Sequence, residues 1–137
     1  MSKPALIPEL YIRDFEQSLS FYVSKLGFQV LYSRDEEKFA MLEREGAQIM
    51  MEQIGIGRNW ITAGLSPPFG RGINFQIEVS DIISLHNNIQ SQKLSFFLDI
   101  EEKWYRVDQG HVGNKQFIIQ DPDGYLLRFF QDLGEKT

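Results

Sequence analysis

The sequence predicts an α+β fold: two tandem βαβββ modules forming a curled mixed sheet around a cup-shaped cleft, with the helices on the outer face. Three observations predict it. A strand-like alternation runs into an acidic helix cap twice, at Asp14 and at Asp81, 67 residues apart. Two turn glycines, Gly46 and Gly124, recur at a separation of 78. Between the halves, Ile54-Gly55-Ile56-Gly57 and Pro67-Pro68-Phe69-Gly70 concentrate the residues that interrupt regular structure. The order of elements is the same on both sides, so a repeat is the simplest account.

Each element has a local reason. Residues 5–12 alternate as a short strand, and Pro8 places it at a sheet edge or bend. Asp14 can accept from free N–H groups at a helix start, and Gln17 stands where a capping-box partner belongs. Phe15, Leu19, Tyr22 and Leu26 follow at helical spacing, and Gly27 ends the helix. Strands are predicted at Gln29–Ser33, Phe39–Glu43 and Ala47–Gln53, with charged residues 34–38 between the first two and a tight Arg44-Glu45-Gly46 turn between the last two. The second half restarts with a strand at Ile73–Val79 and a helix capped by Asp81, whose apolar face is Ile82, Leu85, Ile89 and Leu94. Strands are also predicted at Ser95–Ile100 and Tyr105–Val107. Gln116–Gln120 and Leu126–Phe130 then form a hairpin about Asp121-Pro122-Asp123-Gly124. The expected organisation is a single domain over 1–137, with modules at 5–53 and 73–131, a linker at 54–72 and a tail at 132–137.

Strand side chains alternate with period two, and four strands separate cleanly into an apolar and a mixed face. Leu10 and Ile12 oppose Ile7, Glu9 and Tyr11. Ile49 and Met51 oppose Gln48, Met50 and Glu52. Ile73, Phe75, Ile77 and Val79 oppose Asn74, Gln76 and Glu78, and Leu127 and Phe129 oppose Leu126, Arg128 and Phe130. The apolar faces take the helices. The mixed faces either meet water, as antiparallel sheets often do, or line a pocket, whose usual make-up is an apolar wall with a few placed polar groups. The pocket reading is preferred here, with Tyr11, Glu52, Asn74, Gln76 and Arg128 facing one cavity. Trp60, Phe69, Trp104 or Tyr105 would close it. Arg128 needs an anionic partner in such a place, and Glu52 or Glu9 would supply it. If neither does, the guanidinium is available to a carboxylate or phosphate.

Composition narrows the function. The 137 residues carry 14 Lys+Arg against 19 Asp+Glu, a net charge of −5, which argues against a nucleic-acid or anionic-membrane surface. The absence of cysteine removes disulfide scaffolds, thiol nucleophiles, zinc clusters and iron–sulfur sites. Met1-Ser2-Lys3-Pro4 leads into no secretory core, and no apolar run approaches the about 20 residues of a membrane helix. A cytoplasmic location is expected. Only two histidines are present, His86 and His111. His111, in the Gly-rich stretch 109–114, is an exposed loop residue or a mobile pocket residue. His86 is expected to pack against the sheet.

The paired βαβββ pattern, Asp14-Phe15 with Phe21-Tyr22 and Leu26-Gly27-Phe28, and the Asp121-Pro122-Asp123-Gly124 turn before an apolar strand together resemble the vicinal oxygen chelate superfamily. That group includes glyoxalase I, extradiol dioxygenases, fosfomycin-resistance enzymes and bleomycin-resistance proteins. The resemblance implies metal ligands, when a metal is used, at positions occupied here by Ile7, Met50, Asn74 and Arg128. None of the four is a good ligand for a hard divalent ion. The pattern is therefore closest to the metal-free bleomycin-resistance type, whose members are dimers that sequester a bulky cationic antibiotic.

The residues and the resemblance together imply a metal-free, cofactor-free homodimer that binds a small molecule, a bulky cationic or aromatic compound such as an antibiotic. It has no nucleic-acid or membrane partner and no catalytic residue. The expected ligand-binding residues are Glu9, Tyr11, Met50, Glu52, Trp60, Phe69, Asn74, Gln76, Trp104, Tyr105, His111 and Arg128. Two alternatives stand beside it: a lyase or dioxygenase with an atypical metal arrangement around Glu9, Glu52 and Glu78, and a structural or regulatory dimer without a ligand.

Overall fold

The computed structural model describes residues 3–137; the first two residues of the expected domain lie outside the described residues. The chain divides into two compact units. The first runs to Phe69 and includes Pro122–Gly124, and the second comprises Gly70–Asp121 and Tyr125–Thr137.

In the first unit, β1 (Glu9–Ile12) leads to α1 (Phe15–Leu19), which continues as a wider π turn over Ser20–Lys25. Then come β2 (Gln29–Arg34), β3 (Phe39–Arg44) and β4 (Ala47–Gln53). The sheet order is β1-β4-β3-β2, with β1 parallel to β4 and the other pairs antiparallel. The second unit repeats this plan: β5 (Asn74–Glu78), α2 (Ile82–Ser91), β6 (Leu98–Val107), β7 (Gly110–Gln120) and β8 (Leu126–Lys136). Its order is β5-β8-β7-β6, with β5 parallel to β8. The expected α+β class with mixed strand pairing is present, each module contributing a four-stranded sheet. In each repeat the first strand pairs with the last, which completes the ladder within that repeat.

The helices start where the sequence places them. The Asp14 carboxylate accepts from the Gln17 N–H at 3.1 Å, and the Asp81 carboxylate accepts from the Ser84 N–H at 3.0 Å. A second device, not read from the sequence, is shared by the two units. The Gln53 side chain accepts from the Phe15 N–H at 2.9 Å, and that of Gln131 accepts from the Ile82 N–H at 3.0 Å. Each helix's first N–H is thus satisfied by its own sheet. The first helix widens near its end, where the Leu26 N–H reaches back to the Phe21 carbonyl, and it stops at Gly27.

The alternation sorts most side chains as expected, but Ile73 precedes β5 and is exposed, and Leu94 lies beyond the end of α2. Leu10, Ile12, Ile49 and Met51 are buried with Phe15, Tyr22 and Leu26. Ile77, Leu127 and Phe129 are buried with Ile82, Leu85 and Ile89. Each buried aliphatic or aromatic side chain contributes about 1.5–3 kcal/mol.

Three sequence expectations change. Ser95–Ile100 and Tyr105–Val107 are not two strands; β6 is continuous through Glu101-Glu102-Lys103, with an irregularity between Leu98 and Glu101. A charged run is tolerated there because β6 is an edge strand with a solvated side. The Gly-rich stretch 109–114 is strand rather than loop from Gly110 onward, because β6 and β8 pair with it on both edges. The expected tail at 132–137 is strand as far as Lys136 for the same reason, with Lys136 opposite His111.

Within the first unit, the buried Asp123 carboxylate accepts from the Arg13 N–H at 3.0 Å, from Arg13 Nε at 2.8 Å and from the Ser18 hydroxyl at 3.3 Å. Replacing it leaves buried donors without an acceptor. Asp123→Ala is expected to lower stability by about 2–4 kcal/mol. Chemical denaturation checks this, and a change below about 0.5 kcal/mol, the size of an ordinary surface substitution, would show the carboxylate is dispensable.

Candidate functional site

The mixed faces form a concavity on each unit. The one on the first unit has a volume of about 320 Å³ and is lined by Glu9, Tyr32, Arg34, Glu37, Phe39, Met50, Glu52, Gly57, Arg58 and Trp60. Its floor follows from register: Glu9 lies opposite Met50, Tyr11 opposite Glu52, and Glu52 opposite Phe39. The wall beyond β4 comes from the segment after it. Tyr11 holds that segment, its hydroxyl donating to the Arg58 carbonyl at 2.6 Å and accepting from the Trp60 N–H at 3.0 Å. Trp60 is 66% exposed, the posture of a rim residue rather than a core one.

Two cations already lie on aromatic faces here. The Arg34 guanidinium sits 4.0 Å from the Phe39 ring centroid, and that of Arg58 sits 5.2 Å from the Trp60 ring. Such contacts are worth about 0.5–2 kcal/mol. Arg34 also pairs with Glu37. Glu9 and Glu52 stand side by side. Burial first, and then the neighbouring Glu52 carboxylate, raise the Glu9 carboxyl above its ordinary value, with Arg34 opposing in part. Gly57 makes room for this pair, since a Cβ there would overlap a carboxylate oxygen of Glu52.

The concavity on the second unit is larger, about 800 Å³, and is lined by Gln76, Tyr105, Val112, Asn114, Arg128, Phe130, Asp132, Gly134 and Glu135. Asn74 touches it through Arg128, accepting from Nε at 3.1 Å.

Within each unit the structure brings together part of the predicted set. Glu9, Met50, Glu52 and Trp60, with Tyr11 as support, belong to the first unit. Gln76, Tyr105 and Arg128, with Asn74, belong to the second. Within the second unit, the partner of Arg128 is Asn74. Three predicted residues lie elsewhere. Phe69 is buried, and its N–H donates to the Asp123 carbonyl at 2.7 Å. Trp104 lies flat on Gly113, where any Cβ would strike the ring, with Lys136 Nζ 4.0 Å from its centroid and its Nε1 donating to Glu102 at 3.0 Å. His111 is strand, opposite Arg106 and Lys136. His86 is buried as expected, stacked on Phe96 at 4.5 Å and bonded to Asp99 at 2.8 Å. That bond, aided by the Ile100 N–H, lowers the Asp99 carboxyl.

Sequence reasoning missed Tyr32, Arg34, Phe39 and Arg58 in the first site and Val112 and Asn114 in the second. Extending the Gln116 alternation backwards would have found Asn114. Nothing local marks Arg58. Among the described residues, no three His, Asp or Glu side chains converge as a metal-binding set, and no helix is long and apolar enough to cross a membrane.

A parallel closure of first strand on last, β1–β4 and β5–β8, repeated in tandem with concave mixed faces, defines a class of paired βαβββ proteins. The chain matches the Glyoxalase/Bleomycin resistance protein/Dioxygenase superfamily over residues 7–129 and belongs to it. It is similar to the bleomycin resistance proteins of Geobacillus stearothermophilus and Staphylococcus aureus, 25% identical over 136 residues that span 93% of this chain and 96% of theirs. Among solved structures, TioX from Micromonospora sp. ML1 shares the fold at a TM-score of 0.70 and 19% identity, covering 97% of this chain and 100% of its own. A superfamily member from Vibrio splendidus 12B01 is 40% identical over 91% of this chain and 95% of its own, with a TM-score of 0.43.

The Glu9 shift has a sign. A carboxyl raised in the folded state binds its proton more tightly there than in the unfolded chain, so it costs stability as pH rises through that raised value. Glu9→Gln is expected to melt with the parent protein near pH 4 and about 1–3 °C above it at pH 8. Thermal unfolding at the two pH values checks this, and an equal or lower melting temperature at pH 8 would remove the carboxylate pair from the account.

Proposed function

We propose that this protein is a metal-free small-molecule-binding protein that takes up a bulky aromatic or cationic compound, such as an antibiotic. The observation that carries this reading is the first unit's concavity, where Phe39 and Trp60 each hold a guanidinium beside the Glu9–Glu52 pair. A ligand that offers a cationic or flat aromatic group can take the place of Arg58 on Trp60, whose attachment through Tyr11 is to its backbone rather than its ring. The carboxylate pair favours a positive charge once Glu9 has lost its proton. Similarity to bleomycin resistance proteins supports the same reading, as do Ile7, Met50, Asn74 and Arg128 at the positions where the resemblance implies metal ligands. The reaction-free role is sequestration.

Titration of tryptophan fluorescence with bleomycin and with benzyltrimethylammonium tests this. Saturable binding is expected, weakened on the order of tenfold by Trp60→Ala. Binding should also weaken as pH falls through the raised Glu9 value, because protonation removes the negative charge. Absence of saturation with both probes would overturn the reading. So would near-stoichiometric zinc, iron, nickel or manganese retained through dialysis, which would favour the lyase or dioxygenase alternative.

A cytoplasmic homodimer completes this reading. In support, β2 is an edge strand, and Val30, Leu31 and Tyr32 on it are exposed. Sedimentation equilibrium at micromolar concentration is expected to return twice the mass of the chain; the mass of one chain would count against it.

A further inference from the structure

The second unit carries a different chemistry. Leu127 and Phe129 are fully buried, so period two turns Arg128 to the opposite, concave face of β8. Asn74 on the adjacent strand accepts from Nε at 3.1 Å and fixes the guanidinium plane. The two terminal nitrogens are left as a fork, and among the described residues no carboxylate of the second unit lies within ion-pair distance of them. Asp132 shares the wall, but one of its oxygens accepts from the Gly134 N–H at 2.8 Å.

The rest of the wall adds donors. Gln116 is 2% exposed. Its Nε2 donates to Glu101 at 2.8 Å and to the Tyr105 hydroxyl oxygen at 2.7 Å. With its oxygen accepting, the Tyr105 hydroxyl keeps its own proton to donate. Gln116 Oε1 has no partner among the described residues, so this amide is held by its donor side alone. Phe130 and Val112 supply an apolar surface next to the fork.

We propose that the second unit binds an organic monocarboxylate, its carboxylate on the Arg128 fork and its hydrocarbon or aromatic body against Phe130 and Val112. A guanidinium fork matches a carboxylate with two parallel bonds. Phosphate offers the same oxygen pair, but Asp132 and Glu135 at the same concavity disfavour a second negative charge. This site is independent of the cation-binding role of the first unit and has its own readout.

The test uses the full chain, with ¹⁵N resonances followed during titration with phenylacetate, its neutral counterpart phenylacetamide, and inorganic phosphate. Phenylacetate is expected to shift the Arg128 side-chain and Gln76 and Tyr105 backbone resonances saturably. Phenylacetamide and phosphate should bind at least about tenfold more weakly, as loss of a charged bidentate contact or added like-charge repulsion requires. Arg128→Gln should reduce phenylacetate affinity on the order of tenfold or more, with an unchanged circular dichroism spectrum. Equal binding of phenylacetate and phenylacetamide would overturn the proposal, as would phosphate binding more tightly than phenylacetate or an Arg128→Gln protein that binds as well as the parent. If Arg128→Gln fails to fold, the comparison of the three probes on the parent chain decides.

Discussion

The structure depends on one constraint: in each repeat, alternate side chains of the first and last strands are buried beneath a single helix. Leu10, Ile12, Ile49 and Met51 satisfy it in the first unit, and Ile77, Leu127 and Phe129 in the second. Because strand geometry has period two, burying one set forces the other outward on the opposite face. The residues that line both concavities are therefore consequences of core packing. A slip of β1 by one residue against β4 would turn Glu9 and Tyr11 into the core and expose Leu10 and Ile12. The same parallel closure lets Gln53 and Gln131 reach the first N–H of each helix.

The two units have kept the scaffold and diverged on the free face. In the first, acidic side chains stand among aromatic rings that already carry arginines. In the second, an arginine held by an asparagine stands among hydroxyl and amide groups. Met50 and Arg128 are the fourth residues after the turn glycines Gly46 and Gly124, so the divergence sits at equivalent strand positions. An apolar thioether beside Glu9 leaves the neighbouring carboxylates to act on one another, whereas a guanidinium at the matching place sets the opposite preference for charge. A common core thus tolerates free faces of different charge, because the core constrains only the buried half of each strand.

Much of this was legible in the sequence, and the limits have physical causes. The caps at Asp14 and Asp81, the turn after Arg44 and the alternation in four strands are local: each is decided by residues within a few positions of one another. Glu9, Met50 and Glu52 could be assigned to one face on that basis, as could Gln76 and Arg128. The misreadings were non-local. The stretch around Gly110 and Gly113 has a loop's composition, and it is strand because β6 and β8 hold both of its edges. Trp104 and Phe69 looked like pocket walls, but a flat glycine surface accommodates one and the core accommodates the other.

By itself, then, the sequence determined the repeat, the capped helices and which side chains leave the core, because periodicity and capping act through neighbouring residues. Only the tertiary structure decided which outward side chains share a concavity. It placed Arg34 on Phe39 and Arg58 on Trp60, set Glu9 beside Glu52, and joined Arg128 to Asn74. Those partners are fixed by strand order, and strand order is a property of pairing between segments far apart in the chain.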